Sequence, residues 1–206
     1  MVTRGRLAFL VALAIGLTGL VAVLAYGALH RSREHTSSRS IDGALRPASL
    51  PPVSFRLPDE NGRMRSATAL RGKVAAVMFV YAHCTDTCPL TAQQVRGALD
   101  TLHRPDVTAL AVSVDPKGDT PTATKRFLGD ARLLGRVPYL RGTRAQLRPV
   151  WRAFGVKPQS KESEHAVSVV LLDRRGRQRI GFDASDLTAD GLTHDLGVLA
   201  ALPHGG

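Results

Sequence analysis

The chain has two cysteines, Cys84 and Cys88, in the stretch Val80-Tyr81-Ala82-His83-Cys84-Thr85-Asp86-Thr87-Cys88-Pro89-Leu90. A thiolate is both a nucleophile toward disulfides and a soft metal ligand. Three residues separate the pair, one more than in the Cys-x-x-Cys redox motif. The wider loop still permits a disulfide, and it also lets both sulfurs converge on one ion. Two thiolates suit Cu(I), or Zn(II) with more ligands, and one imidazole would complete a three-ligand site. On spacing alone a structural or redox disulfide is the commoner outcome outside the cytoplasm, with a metal site as the alternative. Zinc is disfavoured because nothing nearby completes a Cys₂His₂ pattern.

The histidines add little by themselves. His30 and His35 precede the domain, His204 ends it, and His103 and His194 read as solvated helix positions. His83 adjoins Cys84, but strand alternation would turn it to the opposite face. His165 opens an apolar strand after the polar run Gln159 to Glu164. A lone histidine at such a place is more often structural than a ligand.

The elements around the pair follow from periodicity. Val74–Val80 is an unbroken apolar run, read as a buried strand. Pro89–Leu102 follows as an amphipathic helix with Val95, Ala98, Leu99 and Leu102 inward. The thiols therefore sit at a strand-to-helix junction, where free backbone N–H groups and the helix dipole lower a thiol pKa. Val53, Phe55 and Leu57 alternate as a half-buried strand before the turn Asp59-Glu60-Asn61-Gly62. Val107–Val114 is a second core strand ending in the loop Asp115–Asp119. Thr120 then caps a helix with Pro121 at its first position and an end near Leu128. Thr143 caps the next helix, striped by Leu147, Val150, Trp151 and Phe154 and kinked or displaced by Pro149. Trp151 reads as core. His165–Leu172 and Gln178–Phe182 form a hairpin across Asp173–Gly176, and Thr188–Leu199 closes the chain as a helix. Strands and helices that alternate and then finish in a hairpin predict an α/β fold with the hairpin at one edge. Cys84, Asp115 and His165 are expected near one end of its sheet.

Ahead of this domain, Leu7–Leu29 is an uncharged apolar run, long enough to span a bilayer as a helix. A signal-peptide core is about 7–15 residues. Ala25-Tyr26-Gly27 offers a small-x-small cleavage site, but length favours an uncleaved transmembrane anchor. Basic residues flank both ends, so they do not orient it. The cysteine pair places the domain on the extracytoplasmic, periplasmic side of the cell membrane. The expected organisation is an anchor over residues 1–33, a flexible polar tether over 34–52 and one domain over 53–206. The net charge of +11 comes from scattered arginines. No aromatic-plus-basic stripe accompanies them, which argues against nucleic acid.

The motifs Phe55-Arg56-Leu57 with Asp59–Gly62, Leu70-Arg71-Gly72-Lys73, Val80 to Thr91 around the cysteines, Ser113-Val114-Asp115-Pro116 with Asp119-Thr120-Pro121, and Glu164-His165-Ala166 occur in this order. Together they resemble the Sco (SenC) family of thioredoxin-fold copper proteins. The resemblance covers about Pro52 to Leu199. It implies a thioredoxin-like fold and one copper ion per monomer, held by Cys84, Cys88 and His165. It also implies a role in building the dinuclear copper site of cytochrome c oxidase subunit II, by delivering copper, by reducing that subunit's cysteines, or both. Another copper chaperone or a thioredoxin-like reductant would be a further partner. Asp115 matches an acidic family position near the site, and starting the Asp-Pro turn is its alternative role. Thr85, Gly118 and Ala166 stand where the family often has Pro, Arg and Ser. Two other readings are kept. One is a thiol–disulfide oxidoreductase without an obligatory metal, with Cys84 attacking and Cys88 resolving. The other is a peroxide-reducing or redox-sensing protein of the same fold.

Overall fold

Seven consecutive buried residues, Val74–Val80, form the strand β4 at the centre of the molecule. A strand with no exposed position must be covered on both faces, and the structure supplies both covers. The computed structural model describes residues 41–159 and 168–203, within one unit that begins at Ile41. Six strands make the main sheet: β1 (Ala44–Leu45), β4, β5 (Val107–Ser113), β6 (Tyr139–Leu140), β7 (Ser168–Leu172) and β8 (Gln178–Asp183). Their spatial order is β1-β8-β7-β4-β5-β6. β4, β5 and β6 run parallel, and the β7, β8 and β1 side is antiparallel.

Val74, Ala76, Met78 and Val80 pack on one face with α1 (Thr87–Leu102), α2 (Pro121–Asp130) and α4 (Ala189–Ala201). Ala75, Val77 and Phe79 pack on the other with α3 (Arg144–Phe154) and the segment around Leu57. Each large apolar side chain buried this way contributes about 1.5–3 kcal/mol. Trp151 is core, as expected, and its indole N–H donates to the Ser113 carbonyl at 2.8 Å.

The caps fall where the residue types put them. The Thr120 hydroxyl accepts from Ala123 N–H, and Thr143 and Gln146 form a reciprocal capping box. Pro149 does not displace the start of α3, which Thr143 caps as expected. It lies inside the helix on the exposed face, as does Ala145, whose carbonyl loses its intrahelical donor to the proline.

Other expectations need correction. The strand expected at Val53–Leu57 is reduced to β2 (Arg56–Pro58). It pairs with β3 (Met64–Ser66) in a separate two-stranded sheet. The β7–β8 hairpin is not the sheet edge, because β1 lies outside it. The tether expected over residues 34–52 does not hold from Ile41 onward. Asp42 N–H and Gly43 N–H donate to the Asp195 carboxylate at 3.0 and 2.9 Å, and β1 pairs with β8. Arg46 donates to the Phe154 carbonyl at 2.6 Å and to the Gln178 side chain at 2.8 Å. Polar, turn-rich composition reads as a linker, yet its backbone completes an otherwise open sheet edge. A Cβ on Gly43 would lie 2.5 Å from Ile180, so glycine is needed for this approach. Among the described residues no helix is long and apolar enough to cross a membrane. The span expected at Leu7–Leu29 lies outside them.

Candidate dithiol and metal site

β4 and β5 end level, with Val80 opposite Ser113. The loops that follow, Tyr81–Asp86 and Val114–Thr120, are therefore neighbours at the C-terminal end of the parallel strands. Cys84 N–H donates to the Tyr81 carbonyl at 3.3 Å, which folds the first loop into a tight turn. The second loop carries Asp115, half-buried, whose carboxylate accepts from Lys117 N–H at 3.2 Å, as an Asp-Pro turn requires. The loops meet at Gly118. A Cβ there would collide with the Asp115 carboxylate and lie 3.3 Å from His83 Nδ1. The side-chain-free position lets His83 and Asp115 close over it.

α1 starts without a conventional cap. Asp86 occupies the N-cap but makes no side-chain capping bond. The Cys84 sulfur stands in for it, accepting from Cys88 N–H at 3.3 Å. This arrangement separates the two thiols. Cys84 is half-buried, and burial alone would disfavour its thiolate. The Cys88 thiol, the N–H groups of Asp86 and Cys88 and the Tyr81 hydroxyl outweigh burial and bring its pKa below the ordinary thiol value. Cys88 is wholly buried on α1, and burial pushes its pKa far up, with the nearby charges of Cys84 and Asp119 acting the same way. The expectation of lowered pKa values at the helix start thus holds for Cys84 and fails for Cys88. Desolvation outweighs the helix dipole at the inner position. Both thiols are free in this structure. A groove of about 450 Å³ runs beside Cys84, lined by His83, Thr85, Pro89, Arg126 and Phe127.

The structure therefore brings Cys84, Cys88 and Asp115 to one end of the sheet. His165 lies outside the described residues. His83 is exposed beside the pair. His194 is not the solvated helix position expected of it. Its Nδ1 lies 2.9 Å from Asp195 and 3.1 Å from Asp42, where it helps to pin the start of the domain to α4. Sequence reasoning missed Asp119, read there only as part of a loop. It is 3% exposed, and its carboxylate takes donors from Ala82, Ser113 and Tyr139. Burial holds its pKa above the usual carboxylate value even against those donors. Nothing in a turn-rich Asp-Pro-Lys-Gly-Asp run announces a buried carboxylate.

A free thiol pair where the central parallel strand passes into its helix, in a sheet covered on both faces, defines a thioredoxin-like protein. The chain belongs to the SCO1/SenC family, whose description it matches over residues 46–199. It is 30% identical over 166 residues to the bovine (Bos taurus) mitochondrial protein SCO2 homolog, covering 74% of this chain and 61% of that protein. This chain therefore spans about three fifths of that relative's length. Among solved structures it resembles Bradyrhizobium japonicum ScoI with copper bound. The identity is 27% and the TM-score 0.59, covering 71% of this chain and 98% of that one. It also shares its fold with BsSco, a member of the Sco family of cytochrome c oxidase assembly proteins in which a disulfide switch was identified. There the identity is 21% and the TM-score 0.66, covering 78% of this chain and 99% of that one.

Proposed function

We propose that this chain is a membrane-anchored, copper-binding assembly factor for a respiratory oxidase. One observation carries the reading. A half-exposed thiol inclined to the thiolate and a buried thiol one helical turn away share the start of α1 in a SCO1/SenC chain. The donor set fits a soft ion, because two sulfurs with one already favoured as thiolate suit Cu(I). The copper-bound state of the 27%-identical ScoI supports the same assignment. Cys84 and Cys88 would hold one copper ion per monomer, with the His165 imidazole as third ligand able to serve both copper oxidation states. Copper is here a cargo. The chain's own part is to present two sulfurs at one loop and to keep Cys88 shielded from water. The acceptor is the dinuclear copper site of cytochrome c oxidase subunit II. The segment Leu7–Leu29 holds the domain at the outer face of the cell membrane.

The asymmetry of the thiols favours a second reading. A half-exposed, thiolate-prone Cys84 beside a buried Cys88 held as the thiol is the arrangement of attacking and resolving thiols in a thiol–disulfide oxidoreductase. Reduction of the acceptor's cysteines would use the same pair.

Copper titration separates the two. A disulfide offers no thiolate, so the reduced chain should take up one copper and the oxidised chain essentially none. Equal loading of both forms would remove the cysteines as ligands. His165→Ala should weaken Cu(II) binding by well over about tenfold, weaken Cu(I) binding less, and spare thiol–disulfide exchange. Unchanged Cu(II) binding with full oxidase assembly in cells would leave the oxidoreductase reading in place of the carrier.

A further inference from the structure

The parallel ladder between β4 and β5 stops at Val80, yet the next loop residues are held in place. Ala82 stands two positions beyond that last rung and two before Cys84. Its N–H donates to Asp119 Oδ1 at 2.7 Å, the shortest backbone-to-carboxylate bond of the site. The other oxygen, Oδ2, accepts the Ser113 hydroxyl at 2.5 Å and the Tyr139 hydroxyl at 2.9 Å. Tyr139 also points its hydroxyl at the Val80 carbonyl, 3.0 Å away. Asp119 is itself immobilised, since its N–H donates to the Asp115 carbonyl at 3.0 Å and its carbonyl accepts from Arg141 at 3.2 Å. One buried carboxylate therefore joins the ends of β4, β5 and β6.

We propose that Asp119 is the positioning residue of the dithiol, fixing through Ala82 the loop that presents Cys84 to the start of α1. It acts where the sheet can no longer act, replacing the next rung of the ladder with a side chain from the neighbouring junction. Without it, a partly buried N–H and the buried Ser113 hydroxyl lose their partner while the Tyr139 hydroxyl keeps only the Val80 carbonyl, and such losses are expensive relative to an ordinary hydrogen bond. The loop would then sample positions in which the Cys84 sulfur no longer meets the Cys88 N–H. The effective concentration of one thiol at the other would fall. The inference rests on the reading of Cys84 and Cys88 as the reactive pair, and it holds for either use of that pair.

The test is the equilibrium of the full-length purified chain with a glutathione buffer. Two protein thiols become one disulfide while one glutathione disulfide becomes two glutathione thiols. Asp119→Ala should shift this equilibrium toward the dithiol by about tenfold, equivalent to about 30 mV for a two-electron couple. Asp119→Asn should stay within about threefold of the parent. Its amide oxygen still accepts from Ala82, while its N–H groups can donate to Ser113 and Tyr139. An Asp119→Ala equilibrium like the parent's, or an Asp119→Asn shift as large as that of Ala, overturns the proposal. Amide exchange needs no variant and decides the matter if Asp119→Ala does not fold. Ala82 N–H in the parent should exchange at least about 100-fold more slowly than an unbonded loop amide, and free exchange there would sink the idea. Failure of the dithiol reading itself would show differently, as a parent chain that neither exchanges with glutathione nor takes up copper.

Discussion

The β4–α1 and β5–α2 junctions lie side by side at the same end of the sheet, in register at Val80 and Ser113, yet their helices begin in opposite ways. α2 opens with Thr120, whose hydroxyl caps Ala123 N–H, and with Pro121, which has no N–H to satisfy. α1 opens with an Asp86 whose side chain caps nothing, and its Cys88 N–H is met by the Cys84 sulfur. The β5–α2 junction is finished for stability. The β4–α1 junction leaves its donors to a reactive atom, and those donors help to favour the Cys84 thiolate. The two junctions are also unequal partners. The well-capped one supplies Asp119, which ties down the poorly capped one.

This contrast breaks most completely at the sulfurs. Cys84→Ser and Cys88→Ser should each abolish disulfide formation and lower Cu(I) affinity by more than about 100-fold, beyond the range of supporting-residue losses. Thermal or urea unfolding should then separate them. Cys88→Ser buries a hydroxyl in an apolar cluster and should cost about 1–3 kcal/mol. Cys84→Ser leaves a capping oxygen at a half-exposed position and should cost under about 1 kcal/mol.

The pH dependence of alkylation sharpens the contrast between the thiols. The folded pKa of Cys84 is lowered, so its thiolate appears at lower pH in the folded chain than in the urea-unfolded one. Its reaction with iodoacetamide should therefore rise at lower pH in the folded state. Cys88 is shifted the opposite way and should stay unmodified in the folded chain through the range where Cys84 reacts. Equal profiles for the two cysteines, read by mass spectrometry, would refute the asymmetry.

Smaller effects are expected at the caps. Thr120→Ala should destabilise the domain by about 1 kcal/mol and leave thiol alkylation unchanged. Asp86→Ala, at an exposed residue with no capping bond, should change stability by less than about 0.5 kcal/mol. A larger loss at Asp86 than at Thr120 would mean that α1 is capped by its aspartate rather than by sulfur.

Features that are closed within a few residues were legible in the sequence. The apolar run of β4, the caps at Thr120 and Thr143 and the dithiol at the start of α1 depend on neighbours three or four positions away, and local pattern reports them. The tertiary structure decided what depends on distant partners. Asp119 meets Ala82 across 37 positions, and Asp42 meets Asp195 across 153. Neither a buried carboxylate in a turn-rich loop nor a linker-like segment laid on a sheet edge leaves a periodic signal. The splitting of the thiols belongs to the same class. Cys84 and Cys88 share a helix start, and that shared position predicts like behaviour. The packing of α1 on β4 sends one sulfur into the core and leaves the other half-buried at its margin, so desolvation acts on them unequally.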